Sequence, residues 1–238
     1  VGVLAAQAAA SGVTGAADIL EGEAGFGAAL SEGAHWERAT DGLGTRYNVT
    51  RITQKNHGCC GHAFAAIDAV LELRRQGLDA KAVAAVEVAT YRAALDVAGN
   101  PAPATAAEAK FSLPYVVAHA LLHGSVRLDA FSAERLASPE IRALMARLTL
   151  VADPALTAAF PGQRAARVTA TTADGRRVEH FSPCRKGDPE APLSDAEIDD
   201  KFEELVAPVL GVARARELRA QLWRLETLRV ADLRLAAA

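Results

Sequence analysis

Between Lys55 and His62 the chain reads Lys-Asn-His-Gly-Cys-Cys-Gly-His, its densest group of chemically capable side chains. Lys55 supplies a full positive charge, while His57 and His62 titrate near neutrality. A strand pattern precedes the segment and a helical pattern follows it, so it is expected to form a loop feeding a helix N-terminus. Free N–H groups and a partial positive charge there suit a carboxylate or a phosphate. A cationic loop with proton-transfer groups is what removing a proton beside a carboxylate requires. Rival readings stay open. Two histidines and two cysteines suggest zinc, but the adjacent Cys59 and Cys60 fit poorly in one tetrahedral shell and no second ligand pair follows at finger spacing. Either thiol would be lowered in pKa by the helix end and the lysine, which would make it a nucleophile. A tight glycine-containing turn around buried thiols would need no chemistry at all.

A second cluster lies on the helix expected from Ser112 to Gly124. Tyr115, His119 and His123 are spaced four apart and share one face. The two histidines imitate a zinc-helix spacing, but Ala120 stands where a metalloprotease helix carries glutamate, so a core-edge role competes. Tyr115, beside Pro114 in the first turn, could donate a proton or hydrogen-bond a substrate oxygen. Arg185-Lys186-Gly187-Asp188-Pro189 reads either as an anion clamp or as a solvated connection. The arginines from Arg214 to Arg234 read as a solvated helix face.

The elements that must position these residues follow from periodicity. Val1 to Ala10 reads as a helix closed by Ser11-Gly12, and Thr14 to Leu20 as a second short one. Glu21 to Gly44 reads as loops with one short helix. Tyr47 to Thr53 alternates β-branched and polar residues, a strand pattern. A helix over His62–Gly77, a strand over Lys81–Tyr91 and a proline-bearing loop from Ala98 to Thr105 follow. Helical stretches from Phe131 to Ala146 lead to a strand at Leu148–Val151. Arg167–Thr172 and Arg177–Phe181, joined at Ala173-Asp174-Gly175, form a hairpin signal. Ser194 and Glu197 form a capping-box pattern, opening a helix to about Leu205, with another from Ala213 to about Leu228. The fold class is therefore α+β, an α+β block flanked by helices, with divisions at 1–44, 45–190 and 191–238.

Length and composition set the outer bounds. The 238 residues are 50% hydrophobic and 23% charged, with a formal net charge of −3. That balance gives no general attraction to nucleic acid or an anionic membrane, and 5% aromatic content offers few base-stacking platforms. Three cysteines do not make a disulfide framework and favour a reducing, cytoplasmic setting. No apolar run reaches the length of a membrane span.

With these residues in view, the chain resembles the MmgE/PrpD family, which includes 2-methylcitrate dehydratases, cis-aconitate decarboxylases and iminodisuccinate epimerases. Four segments carry the resemblance in order: Gly12 to Phe26 with its Leu20-Glu21-Gly22 turn, the Lys55–Asp68 loop and helix, the Lys110–Ala118 helix, and Gly187-Asp188-Pro189 through Lys201-Phe202. It implies a mostly helical body with an inserted α+β lid, here 45–190, and closing helices from 191 onward. It also implies a metal-independent, cofactor-free lyase site acting on di- or tricarboxylates, in a homodimer. By resemblance Lys55 and Tyr115 are catalytic; His62, or in its place His57, is expected to supply the proton-moving imidazole, and His57 and Cys60 to bind substrate. Cys60 stands where the decarboxylase branch has a catalytic histidine, and Phe64 where many family loops end in histidine.

The implied reaction is elimination of water from a 2-methylcitrate-like hydroxy-tricarboxylate. Epimerisation, decarboxylation and a non-catalytic carboxylate-binding or assembly role are the alternatives. The family's N-terminal helical half, with an acid–base Asp and His, has no counterpart before Val1. The expectation is a C-terminal half whose missing part is supplied by a longer protein or a partner chain.

Overall fold

A computed structural model describes residues 1–229 and 232–233; Arg234, among the arginines expected on a helix face, lies outside them. The chain divides into two compact units, Val1–Thr50 and Arg51–Ala238. The first holds helices α1 (Gly2–Ala10) and α2 (Phe26–Leu30), joined by turns. The second is α+β, with helices α3 (Phe64–Arg75), α4 (Arg92–Ala98), α5 (Ala106–Ala109), α6 (Leu113–His123), α7 (Ala133–Ala137), α8 (Pro139–Met145), α9 (Pro154–Ala159), α10 (Asp195–Leu210) and α11 (Val212–Leu222). Its strands are β1 (Val83–Thr90), β2 (Leu148–Ala152), β3 (Ala166–Thr172) and β4 (Arg177–Ser182).

The sheet runs β2-β1-β3-β4. Strand β1 pairs parallel with β2, Val86 opposite Leu148, and antiparallel with β3, Val88 opposite Val168. The parallel pair needs a long crossover, and α4 through α8 supply it. Helix α3 lies against β3, β4 and α6. Its Phe64, Ile67, Val70 and Leu73 recur at three-residue spacing and are almost wholly buried, each such side chain stabilising the fold by about 1.5–3 kcal/mol. Helix α6 is buried without a break from Leu113 to Leu121, the pattern of a central rather than a surface helix. Its ends follow the sequence signals. The Ser112 hydroxyl accepts from the Tyr115 N–H, Pro114 occupies the first turn, and Gly124 closes the helix at φ 75°, a conformation glycine adopts without a Cβ clash.

Five segments depart from the sequence expectations. Thr14–Leu20 forms turns rather than a helix; Ile19 and Leu20 are exposed, and so short a helix needs a packed face to persist. Tyr47–Thr53 contains a 3₁₀ turn over Asn48–Arg51 instead of a strand. The Thr50 hydroxyl donates to the Tyr47 carbonyl at 2.8 Å, a local bond that competes with strand pairing. Helices α4 and α9 occupy ground left unassigned, and α9 carries the Asp153 cap and first-turn Pro154 that announce a helix start. Helix α11 stops at Leu222, short of Leu228.

The Ser194–Glu197 capping box is present in full. Arg219 of α11 pairs with Asp199 and Glu203 of α10 at 3.5 and 3.6 Å, so arginines of this stretch tie the two helices together. Among the described residues no helix is long and apolar enough to cross a membrane.

His119, on α6, gives a prediction for stability. Its Nδ1 lies 2.8 Å from the Ser125 carbonyl and so donates to it, while its buried Nε2 has no partner among the described residues. Burial lowers its pKa; the Ser125 bond and Asp129 oppose, and His123 and Arg135 add to the lowering. His123 shifts the same way, through burial and then Arg135, with Arg74 adding and Asp129 and Glu140 opposing. A group whose folded pKa is depressed in this sense stays neutral in the folded state. Its contribution is fully present above the unfolded pKa, about 6.5, and is lost as pH falls through the lower folded value. The urea midpoint should therefore fall from pH 7 to pH 5, and His119→Gln should flatten that fall.

Candidate active site

The segment from Gln54 to Cys60 is held from three sides by backbone bonds. The Gln54 N–H donates to the Gly187 carbonyl at 2.8 Å, the Gly58 N–H to Val126 at 2.9 Å, and the Cys60 N–H to Lys110 at 2.8 Å. A loop so tethered presents its side chains in fixed directions. It then passes through a 3₁₀ turn, Gly61–Ala63, directly into α3.

His57 is buried, and its Nε2 lies 2.9 Å from Asp68 Oδ1. A carboxylate only accepts, so Nε2 carries a proton, and in the neutral imidazole the lone pair is the one on Nδ1. The other Asp68 oxygen accepts from the Lys186 N–H at 2.7 Å, and the His57 ring meets Phe64 edge-on at 5.1 Å. The imidazole is thus fixed in tautomer and in plane. Asp68 was not assigned a role in the sequence reading, although a carboxylate within the apolar first two turns of α3 was the available signal.

His57 and Lys55 line a small cavity of about 120 Å³ with Asn56, Gly58, Arg127, Leu128, Lys201, Glu204 and Leu205. Two of its three cations are engaged. Arg127 pairs with Glu204 at 3.1 Å, and Lys201 Nζ donates to the Lys55 carbonyl at 2.7 Å. Glu204 also accepts from the Leu128 N–H at 3.0 Å, so α10 braces the cavity wall. The Lys55 ammonium has no carboxylate partner among the described residues and is exposed. The cavity therefore brings one available cation beside one imidazole, a combination that can hold a carboxylate and, through a neutral imidazole, accept a proton near it. Arg127 and Glu204 were not singled out from sequence, and Lys201 entered only through the Lys201-Phe202 pair of the family resemblance.

The other expected site residues lie elsewhere. Cys60 is half-buried at the end of the loop, while the buried Cys59 has its thiol pushed up to about 12 by burial, with Cys60 adding and Lys55 opposing. At neutral pH the Cys59 thiol is protonated, which argues against it as a nucleophile. His62 Nδ1 lies 2.8 Å from the Tyr91 hydroxyl, within an aromatic group completed by Phe160. Burial and then the Arg164 and Arg185 guanidiniums lower the His62 pKa, which keeps it neutral at pH 7. His57 and His62 thus contact different groups.

Tyr115 is fully buried, and its hydroxyl donates to the Ala130 carbonyl at 2.6 Å. Its ring lies 6.2 Å from Phe131, which in turn comes against Gly58. The structure places it one layer beneath the loop rather than on the cavity wall. Tyr115→Phe leaves that carbonyl unpaired, and the expected cost is about 1–3 kcal/mol of stability, measurable by urea unfolding.

Among the described residues no group of three or more His, Cys, Asp or Glu side chains is placed to hold a metal ion. His119 and His123 face one another at 4.6 Å between ring centroids, without a third ligand.

A family model described as the MmgE/PrpD C-terminal domain matches residues 57–227, starting two residues after Lys55. The cis-aconitate decarboxylase-like protein oryM of Aspergillus oryzae (strain ATCC 42149 / RIB 40) is 30% identical over 202 residues, covering 80% of this chain and 41% of that protein. A 2-methylcitrate dehydratase of Cupriavidus necator is 33% identical over 123 residues, covering 48% of this chain and 25% of that protein. The chain spans about two fifths or less of the length of these curated relatives.

Proposed function

Because the chain belongs to the MmgE/PrpD family, we propose that it carries the carboxylate-anchoring and proton-accepting part of a lyase site. The reaction we assign is elimination of water from a 2-methylcitrate-like hydroxy-tricarboxylate. The observation that carries this reading is the Asp68–His57 couple, bonded at 2.9 Å, in which His57 lines the same cavity as Lys55, a lysine with no carboxylate partner among the described residues.

In this reading Lys55 holds a substrate carboxylate. His57 Nδ1 removes the proton from the carbon next to it, and the C–H electron pair moves toward the carboxylate. The charge that develops there is met by the Lys55 ammonium, and the new imidazolium is met by Asp68. As the double bond forms, the C–O bond breaks and the hydroxyl leaves as water. The proton for that water comes from an acid outside the cavity, since all three cations lining it are either bound up or reserved for substrate.

A cavity of about 120 Å³ is well below the several hundred Å³ of a whole small-molecule site. It suits one carboxylate group, and the rest of the substrate meets residues beyond this cavity, in a longer protein or a partner chain. Tyr115 acts in this scheme by holding Ala130 and with it the segment that carries Arg127. The longer match, to the decarboxylase-like relative, favours decarboxylation of a cis-aconitate-like acid as the second reading. The same anchor and imidazole would serve it.

The test is Lys55→Met in the complete enzyme, assayed with 2-methylcitrate and with cis-aconitate. A KM raised at least tenfold, with an unchanged unfolding midpoint, supports the anchoring role. An unchanged KM for whichever acid is turned over removes it.

A further inference from the structure

On another part of the second unit, two connections face each other across a cleft of about 660 Å³. One is the α9–β3 link, with Pro161, Gln163 and Arg164, and the other the turn after β4, with Pro183, Arg185 and Pro189. Neither Lys55 nor His57 lines it. The turn after β4 contains the Arg185–Pro189 segment whose sequence suggested an anion clamp.

The two arginines are held differently. Arg185 is buried and forked onto Asp188, with Nε to Oδ2 at 2.9 Å and Nη2 to Oδ1 at 2.6 Å, and Nη2 also donates to Thr53 at 2.9 Å. Burial opposes the Asp188 charge, but the bonds from Arg185 and Thr53 hold its carboxyl below the usual range. That pair is internally satisfied. Arg164 is half-buried, its guanidinium 5.7 Å from the centre of the Phe160 ring, and among the described residues no carboxylate reaches ion-pair distance of it. Phe160 is in turn stacked on Tyr91 at 4.6 Å. The Arg164 fork is therefore braced on an aromatic platform with its donors uncommitted, a geometry suited to bidentate capture of a planar anion.

The rest of the cleft limits what that anion can be. Three prolines supply apolar wall, and Glu190 stands exposed at the rim without an ion pair among the described residues. A ligand with a second negative charge would meet Glu190, whereas an apolar tail would meet proline rings. We propose that this cleft is a separate binding site for a small monocarboxylate with an apolar tail, its carboxylate forked onto Arg164. The site is independent of the lyase reading, and either can fail without the other.

Hexanoate binding to the 238-residue chain, followed by titration calorimetry, tests it. Saturable binding is expected, weakened at least tenfold in Arg164→Met and unchanged in Arg176→Met, which removes an exposed cation on the hairpin. Arg164→Lys keeps the charge but loses the fork, and it should weaken binding several-fold at an unchanged unfolding midpoint, separating lost recognition from lost folding. No saturable hexanoate binding would overturn the proposal, as would equal binding by Arg164→Met. Tighter binding of citrate than of hexanoate, or equal competition by inorganic phosphate, would overturn the assigned ligand class.

Discussion

Asp68→Asn is expected to cut turnover by about 10²- to 10⁴-fold, the range general-base catalysis contributes, while leaving the fold in place. The asparagine carbonyl can still accept from the Lys186 N–H, which Asp68 now holds at 2.7 Å. The amide NH₂ then faces His57 Nε2. A donor there favours the tautomer with the proton on Nδ1, and the Nδ1 lone pair assigned to proton transfer is lost. Asp68 is a positioning residue in this account, so the loss should appear in kcat and in the pH profile rather than in KM or the unfolding midpoint. A purely structural carboxylate would do the opposite. Turnover within threefold of the parent, with the pH profile unmoved, would show that the couple has no part in proton transfer.

Gly187→Ala carries the largest expected loss of stability, about 2–5 kcal/mol from an unfavourable backbone conformation together with overpacking. Gly187 sits at φ 98°, where a side chain is strained whatever space surrounds it. Here there is also no space, because an added Cβ would run into the Gln54 carbonyl oxygen. The two backbones are locked together by the Gln54 N–H bond to the Gly187 carbonyl, and Lys55 is the next residue. Relief of the collision must therefore displace the start of the site loop. Urea unfolding reads the first effect, and a raised KM in the variant that still folds reads the second. A loss under about 0.5 kcal/mol, the size of an ordinary surface change, would contradict the packing described here.

How much of this was legible in the sequence depended on whether the signal was local. Ser112, Pro114 and Gly124 bound α6 through bonds within a few residues, and Ser194 with Glu197 starts α10 in the same way. Such signals need no knowledge of the rest of the chain. The hairpin around Ala173-Asp174-Gly175 was equally local, and its register follows from it.

The misreadings came where tertiary context decides. Tyr47–Thr53 alternates as a strand does, yet alternation gives a strand only where a neighbour offers its N–H and C=O groups. The site divides along the same line. The loop was visible because Lys55, His57, Cys59, Cys60 and His62 crowd together in sequence. That His57 meets Asp68, eleven residues on, while His62 turns to Tyr91, is set by the entry angle into α3. Arg127, Lys201 and Glu204 arrive from far along the chain, as Arg164 does in the second cleft. The family resemblance marked Tyr115, but its partner, the Ala130 carbonyl, depends on how the segment after α6 folds back.

The central claim is that His57 is the proton acceptor beside the Lys55 anchor. Its most direct test is kcat for loss of water from 2-methylcitrate by the complete enzyme carrying His57→Gln, beside the parent and at matched unfolding midpoints. The account predicts a fall of at least 100-fold with KM changed less than threefold, general-base catalysis being worth about that or more. A kcat within threefold of the parent would contradict it and move the base to another residue.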